Sequence, residues 1–272
     1  MKNPLLLNVN IVSEECSTKE LVLHLLNELQ VSTTKQLYAY FLLDRPLSLS
    51  RFKNLLVELR KEQLIQSVST YKGTREQAYF LSKKGRQFIN SRYSAFDGTQ
   101  LIELQKAIML NDVLLRSIQW CVRKEVAVLS LVTHAQVSAD SLFDMSEEPS
   151  DIDARLLIKW ENEAYFFSFQ VFPQWLDFSE GTDRIELLSL SLIYGYPERN
   201  DIEEKYKTSY NEQIRAYPNS CAVVLGKNQG ITEQLRDYLF DIDYSMKGLK
   251  DYFLVEEYQS FSLAMYFDQE KK

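Results

Sequence analysis

The sequence predicts an α+β winged helix-turn-helix domain at the N-terminus, followed by a three-layer α/β domain. Three observations favour this fold class: an amphipathic helix that leads into a short hairpin, a reversal of net charge between the two halves, and an alternation of helices and strands after residue 100. The predicted domains are residues 1–96 and residues 97–272, and the segment 94–99 is their predicted boundary.

The helix that runs from about Ser50 has one apolar face and several basic residues on the rest of its surface. Its apolar residues recur at i, i+3, i+4 and i+7, the spacing of one helical face: Phe52, Leu55, Leu56 and Leu59. Two β-type runs follow, and the basic, glycine-containing segment 72–75 lies between them, which predicts a hairpin. A recognition helix followed by such a wing is typical of winged helix-turn-helix domains.

Local signals predict where the two preceding helices begin. Ser17 with Glu20, and Thr33 with Gln36, have the spacing of capping boxes, in which each side chain satisfies the other residue's backbone N–H. Pro46 disfavours helix at the residue before it, so the second helix is expected to end before the turn.

The two ends of the predicted domain have weaker signals. Residues 1–16 are expected to be extended or poorly ordered. Ser82 is expected to cap a last basic helix over 83–93, with Phe88 and Ile89 facing inward. The predicted order of the domain is α-α-α-β-β-α.

Charge is distributed unequally along a chain whose net charge is −7. Residues 1–96 contain 14 Lys and Arg against 8 Asp and Glu, a net charge of +6. Residues 97–272 contain 17 Lys and Arg against 30 Asp and Glu, a net charge of −13. This asymmetry predicts a polyanion-binding domain joined to an acidic domain that phosphates would repel.

Double-stranded DNA is therefore the expected partner of the first domain. The start of the recognition helix is predicted to enter the major groove, where Arg and Asn bind base edges bidentately, through Ser48, Ser50, Arg51, Lys53 and Asn54. The wing and the last helix are predicted to contact phosphates or the minor groove, through Lys72, Arg75, Lys83, Lys84 and Arg86. The alternative is a set of solvated charges on a winged helix that contacts proteins.

The second half alternates helices and strands. A long helix is predicted at 100–122, a buried strand at 125–132, a second β-like segment at 136–143, and a hairpin whose turn is Glu161-Asn162-Glu163. Further helices are predicted at 182–196, 202–217 and 231–240, and further strands at 220–226 and 252–258.

The first half resembles the winged-helix domain of the replication-relaxation family of bacterial plasmids and mobile elements. The resemblance rests on the TTKQLYAYFL segment, the RFKNLLVELRKEQLI helix, the YFLSKKGRQFI segment and, past the boundary, QKAIMLNDVLLR, where the family's initial His is missing. The resemblance implies DNA binding tied to replication, mobilisation or transcription of a mobile element, as a regulator or accessory factor.

The element order of the second half resembles a restriction-endonuclease-like core in a degenerate form. Such nucleases hold a divalent metal with an acid from one strand and an Asp/Glu-x-Lys from the next. Asp140 is the candidate first acid, with Asp151 and Asp153 as alternatives, but the next strand contains Phe167 to Val171 with neither acid nor Lys. We therefore expect no enzyme activity, no catalytic residue and no bound metal, and keep a nonstandard metal-dependent nuclease as the alternative.

The remaining expectations concern compartment and partners. No apolar run approaches the ~18 residues of a membrane span, and no signal-peptide cleavage site follows the start, which predicts a cytoplasmic protein without membrane contact. Cys16, Cys121 and Cys221 are scattered and are expected to be reduced thiols. No cofactor is expected. The acidic half is expected to bind a partner protein or a second copy.

Overall fold

The structure, a computed structural model, is mixed α+β and contains helices and two sheets. It describes residues 3–7, 9, 15–70, 75–136, 152–177, 179–185, 219–245 and 253–269. Lys72, Asp140, Asp151 and most of the helices predicted between 182 and 217 lie outside the described residues.

The chain divides into two compact units. The first contains Met1–Gln119 and Ser130–Ser150, and the second contains Trp120–Leu129 and Asp151–Lys272. The boundary predicted at 94–99 stays a prediction, and this division places most of the long helix that follows it in the first unit.

The first unit is built around a three-stranded antiparallel sheet with the order β1-β3-β2. Its elements are a 3-10 helix (Pro4–Leu6), α1 (Thr18–Leu29), β1 (Val31–Thr33), α2 (Thr34–Leu42), α3 (Leu49–Lys61), β2 (Ile65–Ser69), β3 (Gln77–Leu81), α4 (Lys83–Phe88) and α5 (Leu101–Arg123). The last of these continues into the second unit.

Both predicted capping boxes are confirmed. Ser17 caps α1 reciprocally with Glu20, and Thr33 caps α2 reciprocally with Gln36. The hairpin is confirmed as well, with β2 and β3 paired from Ile65 opposite Leu81 to Ser69 opposite Gln77.

Two expectations for this unit are wrong and one strand was not predicted, because tertiary contacts decide all three features. Leu5 and Leu6 are fully buried, and the side-chain amide of Asn3 donates to the carbonyl oxygen of Tyr40 (2.9 Å), so the N-terminal segment is not uniformly extended or poorly ordered. The strand β1 was not expected between two helices. Phe88 does not face inward: it is half exposed at the last residue of α4, and the Lys19 ammonium lies over its ring.

Two amides attach α5 to the rest of the first unit. The side chain of Gln36 accepts the Thr33 N–H through its oxygen (3.0 Å) and donates through its nitrogen to the Ile108 carbonyl (2.8 Å) and to Asp112 (2.7 Å). Asn111 donates to the carbonyls of Leu29 (3.2 Å) and Val31 (2.7 Å). The Asn-Asp pair of the QKAIMLNDVLLR helix therefore holds α5 against α1, β1 and α2.

The second unit contains a five-stranded sheet with the order β4-β5-β6-β7-β8. Its described elements after α5 are β4 (Ala127–Val132), β5 (Ala154–Trp160), β6 (Glu163–Phe172), β7 (Asn219–Gly226), α6 (Gln229–Ser245), β8 (Phe253–Glu257) and α7 (Leu263–Gln269). The pair β5–β6 is antiparallel, whereas β6–β7 and β7–β8 are parallel.

The predicted hairpin at Glu161 and Asn162 is confirmed, and its turn has a physical reason. Both residues have positive φ, 50° and 70°, the conformation that a two-residue turn needs to match the twist of the strands. The expectation that β4 is a buried strand is wrong. It lies at the edge of the sheet, and Leu129 keeps 46% of its surface exposed.

Both faces of this sheet are covered by helices. On one face, Ala222 and Val224 of β7 pack with Leu235 of α6. On the other face, Phe167 of β6 contacts Phe267 of α7, which was not predicted as a helix. Phe267 also stacks on Trp120 (5.1 Å, 4°) and meets Trp160 edge-on (4.3 Å).

Gly85 allows α4 to approach the turn between α3 and β2. A Cβ at this position would lie inside van der Waals contact of the Leu64 carbonyl oxygen and 3.0 Å from its carbonyl carbon. The backbone N–H of Ser82 also donates to that oxygen (3.0 Å). The glycine of the YFLSKKGRQFI segment is therefore required by packing.

We expect Gly85→Ala to destabilise the first unit by about 1–3 kcal/mol, because backbone atoms must move to admit the methyl group. Hydrogen exchange of peptides from α3 and α4 measures this directly. In an open helix the same change would stabilise by up to about 1 kcal/mol, so slower exchange would contradict the packing argument. Gln87→Ala, an exposed change in the same helix, serves as the control.

A buried carboxylate joins three separate segments of the first unit. Glu28 is 2% exposed and accepts hydrogen bonds from Gln136 (2.7 Å), Tyr93 (3.0 Å) and Asn27 (3.1 Å). Burial raises the pKa of Glu28, and these hydrogen bonds and the charge of Arg92 oppose the shift only in part.

A raised pKa in the folded state makes stability depend on pH. The contribution of Glu28 is complete below the ordinary glutamic acid pKa of about 4.3 and is lost as pH rises through the folded value. The unfolding free energy of the native chain, minus that of Glu28→Gln, should therefore fall as pH rises from the ordinary pKa of a glutamic acid through the raised pKa of Glu28.

Hydrogen exchange of α1 peptides, corrected for the intrinsic exchange rate at each pH, measures this difference. Peptides from β6 and β7 in the second unit are the internal control and should show no difference between the two proteins. A difference in α1 that is constant with pH, or that grows as pH rises, would show that ionised Glu28 does not cost stability.

Candidate nucleic-acid interface

The aromatic ring of Phe52 fixes α3 in place. Phe52 is fully buried, and its ring lies 5.2 Å from that of Tyr38 and 5.3 Å from that of Phe41. The Tyr38 hydroxyl donates to the Leu47 carbonyl (2.7 Å), which also fixes the turn before α3. Leu56, one turn further on, is 2% exposed. Because these residues share one helical face, the opposite face of α3 must point outward.

The start of α3 presents the predicted DNA-contacting residues to solvent. Arg51, Lys53 and Asn54 are all exposed, as is Ser50. Ser48 is exposed too, and its hydroxyl accepts the Arg51 N–H (3.4 Å) as the N-cap of the helix. The structure therefore brings these five residues together on one helical turn and its cap.

The hairpin supplies one described cation to the predicted set. Arg75 is exposed and lies two residues before β3, next to Glu76, whose carbonyl accepts the Thr70 N–H (3.1 Å). Its predicted companion, Lys72, lies in the segment 71–74 outside the described residues.

A surface groove of about 570 Å³ lies where the end of α3, the strand β2 and the start of α4 meet. Three of its side chains are cations, and the others are mostly polar. It is lined by Arg60, Gln63, Ile65, Gln66, Ser67, Ser82, Lys83 and Lys84. Two predicted DNA-contacting residues, Lys83 and Lys84, are thereby brought together with Arg60, which sequence reasoning did not include.

Two of the predicted cations also make contacts within the protein. The Lys84 ammonium donates to the Glu62 carbonyl (2.9 Å). The Arg86 side chain is half-buried, and its Nη1 donates to the Tyr93 carbonyl (3.4 Å). The side chains of Arg51, Lys53 and Lys83 are exposed, and among the described residues no hydrogen bond or ion pair of these three side chains is found.

The candidate acid Asp153 has a structural position in the second unit. It is 3% exposed, and one of its carboxylate oxygens accepts the Val171 N–H (2.7 Å). Its own N–H donates to the Phe169 carbonyl (2.8 Å). Across the described residues, no group of three or more His, Cys, Asp or Glu side chains is placed to hold a metal.

The thiols are not activated for chemistry. Burial raises the pKa of Cys121 and of Cys221 to about 12, so both thiols are protonated near neutral pH. All three cysteines are free, and Cys16 is only partly buried.

Comparison with known proteins found no matching family model, no matching curated protein and no matching solved structure. The resemblance to the replication-relaxation family therefore stays a prediction. In the described ranges, no helix has the length and apolar content needed to cross a membrane.

If Phe52 holds α3 in place, its truncation should loosen the whole helix. Phe52→Ala removes a fully buried ring, and such changes cost about 3–5 kcal/mol. We expect hydrogen exchange in peptides from α2 and α3 to accelerate accordingly.

Val57→Ala is the matched control on the same helix, because Val57 keeps 49% of its surface exposed. Its effect should stay within about 0.5 kcal/mol. Equal effects of the two changes would show that the inner face of α3 does not anchor it.

Proposed function

We propose that the protein binds double-stranded DNA sequence-specifically through a winged helix-turn-helix in its first unit. The observation that carries this proposal is the exposure of Arg51, Lys53 and Asn54 on the outer face of a helix whose inner face is buried. Arg and Asn are the side chains that pair bidentately with guanine and adenine edges in the major groove.

The arrangement of elements supports the winged-helix assignment. α2 and α3 are joined by a short turn, and α3 leads directly into the hairpin β2–β3. The third strand, β1, pairs with β3 and completes a small sheet beside the helices. In winged helix-turn-helix domains the second helix of the motif enters the major groove, which is the role we assign to α3.

Phosphate contacts supply the remaining affinity in this proposal. Arg75 on the hairpin, with Lys83 and Lys84 at the start of α4, contacts backbone phosphates, which position the protein without reading sequence. The net charge of +6 over residues 1–96 favours association with a polyanion.

For the second unit we propose a role in protein contacts, through a partner protein or a second copy. Its residues, 120–129 and 151–272, contain 15 Lys and Arg against 23 Asp and Glu, a net charge of −8, which disfavours contact with DNA. Trp175 and Phe240 keep 60% and 73% of their surfaces exposed, and exposed aromatic side chains are common in protein interfaces.

A degenerate restriction-endonuclease-like core is the fold we propose for this unit. The described strands are compatible with such a core: β5 and β6 form an antiparallel pair, and the parallel strands β7 and β8 follow them. On β6, Ser168 and Gln170 occupy alternate positions where such a nuclease would have an acid and a Lys. Their buried oxygens have no hydrogen-bond partner in the described chain. Without that acid and Lys we propose no cleavage activity.

The resemblance to the replication-relaxation family suggests the setting. We propose a cytoplasmic regulator or accessory factor for replication, mobilisation or transcription of a bacterial mobile element. This step rests on the resemblance alone.

The test is binding of the full chain to a randomised duplex library as salt is raised, followed by sequencing of the bound duplexes. The logarithm of the association constant should fall, per tenfold increase in salt concentration, by about 0.9 for each phosphate neutralised. Arg51→Ala with Lys53→Ala should weaken binding to the selected site, by about 1–3 kcal/mol for each lost base contact, and should relax sequence preference.

Lys124→Ala with Lys159→Ala removes the same charge from exposed positions of the second unit and should change neither affinity nor preference. Wild-type affinity in a folded Arg51 and Lys53 double variant would show that α3 is not the recognition helix. Cleavage of the duplex on addition of Mg²⁺ would contradict the non-enzymatic assignment.

A further inference from the structure

We propose that the groove between α3, β2 and α4 binds the sugar–phosphate backbone of DNA, as a contact separate from the start of α3 and independent of sequence. This inference rests on the proposed function and deepens it. It divides the interface into a part that reads bases and a part that holds the backbone, and it adds Arg60, Gln63 and Gln66 to the contacts.

The charges of the groove favour an anionic ligand. Arg60, Lys83 and Lys84 contribute three cations, and no carboxylate side chain is among the lining residues. The nearest acidic residue along the chain, Glu62, is paired through its carboxylate with Lys19, which partly neutralises it. A phosphodiester would therefore meet cations in the groove with no lining carboxylate to repel it.

The other lining residues favour a polar ligand over an apolar small molecule. Gln63, Gln66 and Ser67 offer hydrogen-bond donors, whereas Ile65 is the single apolar residue of the lining. Sites for small apolar ligands are lined mainly by hydrophobic and aromatic side chains. Protein–DNA contacts to phosphate use Arg and Lys together with Ser and Gln side chains, the composition found here.

The position of the groove suits a strand that borders the major groove. Arg51 and Arg60 are nine residues apart on α3, about 13.5 Å along the helix axis. The major groove is about 12 Å wide. The groove therefore lies about one major-groove width from Arg51 along the axis of α3, and because nine residues make two and a half turns, Arg60 projects from the opposite side of the helix.

The floor of the groove is held rigidly, which lowers the entropic cost of binding. Gln63, the residue after the C-cap of α3, has a positive φ of 61°, and its carbonyl accepts the Ser82 hydroxyl (2.5 Å). That hydroxyl also accepts the Gly85 N–H (3.0 Å). The end of α3 and the start of α4, about twenty residues apart in sequence, are thus fixed to each other before any ligand arrives.

The test compares the full chain with Arg60→Gln plus Lys83→Gln by fluorescence anisotropy on the selected duplex and on duplexes of unrelated sequence. Both residues are exposed, so the variant should fold. We expect weaker binding by the same factor on every duplex, and a salt slope smaller by about 1.8, which corresponds to two phosphate contacts. Sequence preference should be unchanged.

Two controls accompany this variant. Arg60→Lys plus Lys83→Arg keeps the charges and should keep most of the affinity and the salt slope. Lys124→Gln plus Lys159→Gln removes two charges from exposed positions of the second unit and should have no effect. Hydrogen exchange of α3 and α4 peptides checks that the groove itself is intact in each variant.

The outcomes separate this inference from the proposed function. If the native chain binds duplex DNA and the groove variant keeps the native slope, the groove inference is overturned while the proposed function stands. If the native chain does not bind duplex DNA at all, both fail.

A third arm replaces chloride with inorganic phosphate at constant ionic strength. Because free phosphate would compete with DNA for the groove, the affinity should fall more in the native chain than in the groove variant, and equal losses in the two proteins would count against the inference.

Discussion

The exposed cations of α3 depend on the burial of Phe52. An α-helix has 3.6 residues per turn, so once Phe52, Leu56 and Leu59 are buried on one face, the positions between them are forced outward. Arg51 and Lys53 flank Phe52 in sequence, and they are therefore exposed as a direct consequence of its burial. The contact between this ring and α2 fixes both the direction of α3 and the surface that it presents.

Polar contacts, and not only apolar packing, decide how far the first unit extends. The Gln36 amide completes the cap of α2 with its oxygen and holds α5 with its nitrogen, so one side chain serves local and long-range structure at once. Asn111 satisfies two carbonyls at the junction of α1 and β1. Buried amides of this kind are costly unless every partner is in place, so they favour a single position of α5.

Much of the fold could be predicted, because its signals are local. Capping boxes, the periodicity of α3 and the turn at Glu161 and Asn162 are each specified within a few residues. The features that were missed depend on distant partners. The strand β1 exists because Val31 pairs with Phe80, and the helix α7 exists because Phe267 packs on Trp120 and Trp160. No short window of sequence contains both members of these pairs.

The same distinction applies to the candidate interface. The exposure of Arg51 and Asn54 follows from helical periodicity alone, so sequence reasoning could reach it. The proximity of Arg60 and Lys83 does not follow from helical periodicity. It requires the chain to turn back through β2 and β3, and it requires α4 to approach the Leu64 carbonyl. That approach is possible only because residue 85 is glycine. The absence of a side chain at residue 85 therefore allows the basic groove to form, and this role of the glycine follows from the structure and not from the sequence.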